Sequence, residues 1–292
     1  MAYTIATIGG RAALVSNGKY FDIQTLSGGA LDPNPMGILD RGDELSRLND
    51  QLESAVPNGD FDAVVPTSPV PSPSKVFGIG LNYRDHATES NLEVPDNPLV
   101  FTKFPSCITG PYDDIHLRSD RCDYEGEIVV VIGKPGKDIP AARAWDHVFG
   151  ITAGQDISDR VVQLASKPPH FDLGKSFDTF GPIGPVVVSP DQFPDREAIG
   201  LRTLVNGETR QQSSTTNLIF SIPFLVEYLS RITTLSPGDL IFTGTPEGVG
   251  MPQKKWLAEG DEIITEVDGV GRIVNRCVRS SDHELPVRRK SA

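Results

Sequence analysis

Two glutamates one residue apart, Glu125 and Glu127, stand at the head of the apolar run Ile128-Val129-Val130-Val131-Ile132. In a β-strand successive side chains alternate between faces, so both carboxylates project to one side. Adjacent buried carboxylates repel each other, and a bound divalent cation resolves that conflict. Ligation by oxygen alone favours Mg2+, with Mn2+ or Ca2+ as alternatives, over Zn2+. The competing reading is a solvated strand end with two surface glutamates. Asp156, in the polar stretch Gly154-Gln155-Asp156-Ile157-Ser158-Asp159-Arg160, could join such a site or simply cap a turn. His86 and Glu89 lie three apart. On one helical turn they share a face, where the glutamate can orient the imidazole as a general base; an ordinary surface pair is the alternative. The glycine-rich stretch 244–250 follows a strand pattern and could bring backbone N–H groups and the Thr245 hydroxyl to an anion, or merely close a tight turn.

Several chemistries are missing from the sequence. There is no GxSxG elbow, no HExxH and no Cys/His cluster with zinc spacing. Any hydrolysis would therefore use activated water rather than a serine nucleophile. Gly78-Ile79-Gly80 lacks the third glycine of a dinucleotide loop, and Gly174-Lys175-Ser176 lacks the upstream glycine of a P-loop.

The elements that must position these residues are mostly short strands. Residues 5–15 and 19–23 read as strands around Asn17-Gly18, a strong hairpin signal, and 38–55 as a helix. Four prolines within 66–74 form an extended connector, which places a small N-terminal α/β domain at 1–70 and a larger domain at 71–280. Further strands are expected at 76–79, 99–102, 127–132, 185–188, 201–205, 240–243, 262–267 and 271–278, with helices at 142–148 and 224–232. The fold class is α+β, predominantly β, and 281–292 form a charged tail that is expected to fray.

The chain has 292 residues, and 27 Lys+Arg against 39 Asp+Glu give a formal charge of −12. An acidic surface of this kind disfavours nucleic acid and anionic membranes as partners, though not a small anion in a pocket. No run approaches the ~18 apolar residues of a membrane span, and no secretory signal pattern opens the chain. Three cysteines without CxxC spacing suit a reduced, cytoplasmic protein.

Taken in order over 75–279, seven segments resemble the fumarylacetoacetate hydrolase family. They are Asn82-Tyr83 with His86 and Glu89; Asp123-Tyr124-Glu125-Gly126-Glu127; Gln155-Asp156-Ile157-Ser158 with Arg160; and the stretches 174–185, 205–211, 237–250 and 260–275. The resemblance implies a mixed β-roll catalytic domain, commonly dimeric, with a Mg2+ or Mn2+ site. It further implies Glu125, Glu127 and Asp156 as metal ligands, Lys175 beside them, His86 with Glu89 as base dyad, and Arg160, Gln163 and Thr245 holding or lining the substrate. The expected activity is metal-dependent hydrolysis of a carbon–carbon bond in a small anionic 1,3-diketo acid of the acylpyruvate or fumarylpyruvate type, yielding pyruvate and a carboxylate. Oxaloacetate decarboxylation and keto–enol or diene-dioate isomerisation are the alternatives within the family, and a non-catalytic metal-binding module is a remote one. The chain departs from the family pattern at Gln155, where asparagine is usual, at Val161-Val162, and at Asn217, where aspartate is frequent. The stretch 166–171 is peculiar to this sequence.

Overall fold

The computed structural model describes residues 2–89 and 93–279, so the expected tail at 281–292 lies outside the described residues. Strands dominate, and the long sheet through the centre holds eleven of them. At its core lies Gly126–Ile132, antiparallel to Val148–Gln155 on one side and to Leu240–Phe242 on the other. All seven residues of Gly126–Ile132 are buried. Strand alternation splits them: Ile128, Val130 and Ile132 enter one hydrophobic cluster, Val129 and Val131 another. This strand is apolar on both faces because both are covered, so Glu127 starts deep in the protein.

Register then brings the chemistry together. Glu127 pairs with Gly154 and Gly126 with Gln155, which puts Asp156 one step beyond the pairing, its N–H donating to the Glu125 carbonyl at 2.8 Å. Val76–Gly80 runs parallel to Leu240–Phe242, so both strands end at the edge where Gly126–Ile132 begins. The helix Arg84–Glu89 and the turn carrying Thr245 therefore emerge beside Glu125 and Glu127. Asn82 fixes that corner: its amide donates to Thr243 O and Phe220 O, and its oxygen accepts from Phe220 N.

The residues before the proline-rich connector share the sheet and the core with those after it. Thr4–Ile8 pairs antiparallel with Gly181–Val188, and Ile38, Leu39 and Leu45 pack with Val129, Val131 and Phe242. The strand expected over 5–15 is two strands, Thr4–Ile8 and Arg11–Ser16, because Gly9 and Gly10 take φ of +57° and +77° and close a second hairpin. The helix expected over 38–55 is α-helical only at Gly42–Asn49, flanked by short 3-10 turns. Similarly, 142–148 is a 3-10 helix, Ala141–His147, and Val148 already belongs to a strand. Among the described residues no helix is long and apolar enough to cross a membrane, and all three cysteines are buried and free.

A second sheet of five strands packs against this edge and includes Gly200–Val205 and the polar strand Glu208–Ser214. Its approach explains the glycine between the two glutamates. A Cβ at Gly126 would overlap the Thr203 hydroxyl and crowd Gln155 and Gln211. Gly126→Ala is accordingly expected to cost about 1–3 kcal/mol, the scale of overpacking a tight interior, read as a lower calorimetric midpoint.

Candidate active site

The carboxylates of Glu125, Glu127 and Asp156 converge: one oxygen from each lies within 4.8 Å of the others, and all three residues are buried. Two lysines hold this triad. Lys175 donates to Glu125 Oε2 at 2.8 Å, Asp156 Oδ2 at 2.6 Å and the Ser158 hydroxyl at 2.8 Å. Lys175 is placed by the turn Phe171–Gly174, which packs on the turn Arg160–Gln163; a Cβ at Gly174 would stand 2.7 Å from Gln163 N. That glycine serves close packing rather than phosphate binding.

The second lysine, Lys103, has no place in the sequence-based site. It is fully buried and donates to Asp156 Oδ1 at 2.6 Å, to the Lys175 carbonyl and to Phe180 O at 3.2 Å. Burial opposes its charge, but Asp156 leads the interactions that outweigh burial and keep it an ammonium. Its one sequence signal is a cation directly after the strand Leu99–Thr102 and before Phe104-Pro105.

Arg160 joins the triad to a further carboxylate. Its Nε and Nη2 donate to Asp123 Oδ2 at 3.0 and 2.8 Å, Nη2 also to Glu125 Oε1 at 2.6 Å, and Nη1 to Gln163 Oε1 at 2.8 Å. A guanidinium has five N–H groups, so one on Nη1 is left for a ligand. Asp123 also accepts from the N–H groups of Tyr124, Gly250 and Met251 at 2.7–2.9 Å. It thereby locks the glycine-rich turn onto the site. Asp123→Ala would leave two of the Arg160 N–H groups and three backbone amides without their acceptor, and is expected to cost about 3–5 kcal/mol, read by denaturant unfolding.

Charge explains why these groups tolerate one another. Burial pushes Glu125 up, yet Lys175 and then Arg160 outweigh it and hold its pKa at about 2. Glu127 has weaker support, a single hydrogen bond from Gly244 N–H at 2.7 Å. Burial, then Asp156 and Glu125, raise its pKa well above the usual carboxylate range. By formal charge the triad exceeds its two lysines by one, and Arg160 offsets Asp123. A dication would turn that deficit into a net positive charge, which suits an anionic substrate. The all-oxygen donor set and the under-supported Glu127 fit a hard divalent cation.

His86 and Glu89 share the helix Arg84–Glu89, with Nδ1 3.5 Å from Glu89 Oε2. That separation is an ion-pair contact rather than a hydrogen bond, and Nδ1 has no hydrogen-bond partner. Glu89 spends both oxygens on Gly248 N–H, at 3.2 and 3.1 Å. The Asp85 carboxylate braces the helix, accepting from Ser213 Oγ at 2.9 Å and from Asn217 Nδ2 at 2.5 Å. An amide at 217 thus supplies a donor where an aspartate would face Asp85 with a second carboxylate.

A cavity of about 150 Å³ brings His86, Glu125, Arg160, Gln163, Lys175 and Thr245 to one wall system. The Thr245 hydroxyl is already committed, donating to Gly126 O at 2.9 Å and accepting from Gln211 Nε2 at 2.8 Å. Gln211 also accepts from Gly126 N–H, a supporting role hidden in a polar strand with no apolar alternation. Gln155 supports from the other side: it accepts from Glu125 N–H at 2.9 Å and donates to Thr265.

Residues 75–278 match the family model described as fumarylacetoacetate (FAA) hydrolase C-terminal. The Bos taurus protein named oxaloacetate tautomerase FAHD2A, mitochondrial, is 41% identical over 246 residues, which are 82% of this chain and 78% of that protein. Among solved structures, a Mycobacterium smegmatis protein provisionally assigned as HpcE superposes with a TM-score of 0.88 at 42% identity, covering 95% of this chain and 100% of that one. Maleylpyruvate hydrolase from Sphingobium sp. SYK-6, solved with manganese(II) and pyruvate, has a TM-score of 0.81 at 27% identity and the same coverage. With its motifs collinear along two thirds of the sequence and its fold shared over 95% of the chain, the protein belongs to the fumarylacetoacetate hydrolase family.

Proposed function

We propose that this protein is a divalent-cation-dependent enzyme that interconverts the keto and enol forms of a small 2-oxo dicarboxylic acid, with oxaloacetate as the substrate. The observation that carries this reading is the convergence, on one small cavity, of a buried carboxylate triad with an imidazole that can act as a base, His86, and the ammonium of Lys175. Likeness to the bovine oxaloacetate tautomerase supports it, as does a cavity of about 150 Å³, which suits a small oxo acid rather than a long acyl chain.

Glu125, Glu127 and Asp156 would hold Mg2+ or Mn2+, which when bound supplies Lewis acidity toward the 2-oxo group. The free Nη1 N–H of Arg160 and the Gln163 amide orient the substrate's carboxylates. With Nδ1 turned to Glu89, His86 offers Nε2 to the C3 proton. In enolisation the C3–H bond breaks and an O–H bond forms: His86 would take the proton from C3 and return it to the oxygen, while the Lys175 ammonium, its three N–H groups held by Glu125, Asp156 and Ser158, would stabilise the developing charge. The homodimer implied by the family resemblance is part of this proposal.

Hydrolysis of acylpyruvates is the second reading. The nearness of His86 and Glu89 favours it, since the same pair could activate water, and so does the likeness to a maleylpyruvate hydrolase. The test follows enol-oxaloacetate decay and product formation with Mn2+ and with chelator. Faster ketonisation without pyruvate, lost on chelation, is the expected result. Pyruvate plus acetate from acetylpyruvate, with enol decay unchanged, would replace tautomerase by hydrolase.

A further inference from the structure

The reactive cavity is closed at one end by aromatic and aliphatic side chains. Leu99, Phe101 and Phe171 line it, and the same three side chains also line a larger neighbouring cavity of about 360 Å³. Beyond them, Val100 and residues 169–172 complete the outer space. The shared residues are therefore the partition between a small, reactive chamber and a wider, mostly apolar one.

The two rings in the partition differ in freedom. Phe101 is 8% exposed and lies over Gly78, where even a Cβ would overlap its ring. Phe171 is half-buried and meets Phe101 edge to face, with centroids 5.8 Å apart. Its turn is held to the strand edge by Thr102 N–H on Asp172 Oδ1 and by Phe104 N–H on the Ser176 hydroxyl, both at 2.9 Å. Lys175 Nζ stands 5.0 Å from the Phe101 ring centre, so the partition lies directly beside the reacting end of the cavity.

We infer that Phe171 sets substrate length: its ring confines the site to short 2-oxo acids, and removing it opens the outer chamber to a longer apolar tail. This inference rests on the reading of the site as one for 2-oxo acids. The side chain ends the stretch 166–171, where a change of one residue alters the wall without touching the carboxylate triad.

The test is calorimetric titration of the Mn2+-loaded protein with a ladder of unbranched 2-oxo acids, from pyruvate to 2-oxooctanoate. Wild type, Phe171→Ala and Phe171→Leu are compared. In wild type, affinity is expected to fall once the tail exceeds about two methylenes. In Phe171→Ala each further methylene should instead bind up to about fourfold tighter, the value of burying one CH2, so that 2-oxooctanoate gains at least tenfold over wild type. Pyruvate should stay within threefold, and Phe171→Leu, which keeps an apolar contact on the turn, should fall between. An identical length profile in all three proteins would overturn the role of Phe171 while leaving the oxo-acid site intact. Failure of pyruvate itself to bind any loaded protein would overturn the oxo-acid reading, and this inference with it.

Discussion

Replacing Glu127 by glutamine is expected to raise the thermal midpoint of the metal-free protein and to erase that midpoint's response to Mn2+ or Mg2+. Glu127 is 1% exposed and has one hydrogen-bond donor, while Glu125 and Asp156 face it as carboxylates. Glutamine keeps the shape and removes the charge. The gain should be about 1–3 kcal/mol, the usual cost of a buried polar group short of partners, or roughly 2–4 °C per kcal/mol in a chain of this size. The sign of its pH dependence follows from the raised pKa. A carboxyl held above its ordinary 4.5 in the folded state takes stability away as pH climbs past that value. The advantage of the variant is therefore larger at pH 8 than at pH 5. Wild type should recover about 2.7 kcal/mol when the cation stands at 100 times its dissociation constant. Calorimetry with and without chelator reads both effects. A variant less stable than wild type in chelator would show that Glu127 anchors the fold rather than a cation.

His86→Asn is expected to lower turnover by about 10²–10⁴, the range for a general acid–base group, while leaving the metal-dependent midpoint shift as in wild type. The imidazole lines the cavity but makes no contact with the carboxylate triad closer than its Coulombic influence on Glu125. Its Nδ1 lies within a few tenths of an ångström of a hydrogen bond to Glu89. A small movement of the helix Arg84–Glu89 would complete the dyad and fix the tautomer that leaves Nε2 as base. Glu89→Gln should consequently fall between wild type and His86→Asn. Steady-state rates and calorimetry on the same preparations check the pair. Loss of the metal response together with activity would move His86 into the cation's own shell, and an unchanged rate would remove the dyad from the mechanism.

Much of this site was legible from local pattern. The Glu-x-Glu spacing at the head of an apolar strand puts both carboxylates on one face whatever the protein does around them, because strand alternation is a property of the backbone. His86 and Glu89 share a helical turn for the same kind of reason. Asn17-Gly18 closes the hairpin it promises, with both residues at positive φ. Gly9-Gly10 closes a turn that the apolar residues continuing on both sides mask.

Other elements carried a weak local signal. Glu208–Ser214 is a strand without alternation, held in place by pairing with Gly200–Val205 rather than by its own pattern. Gln211 is buried there to satisfy Gly126 and Thr245, an obligation that arises only once the two sheets meet.

The sequence by itself determined the central strand, the face its glutamates take, the family motifs and their order, since each depends on neighbours a few residues apart. Only the tertiary structure decided that Lys103 clamps Asp156 across 53 positions, that Asp123 and Glu125 together claim three of the five N–H groups of Arg160, and that Phe171 lines the chamber. Those choices depend on register and on which surfaces are driven together by burial, and neither quantity is written in any short stretch of chain.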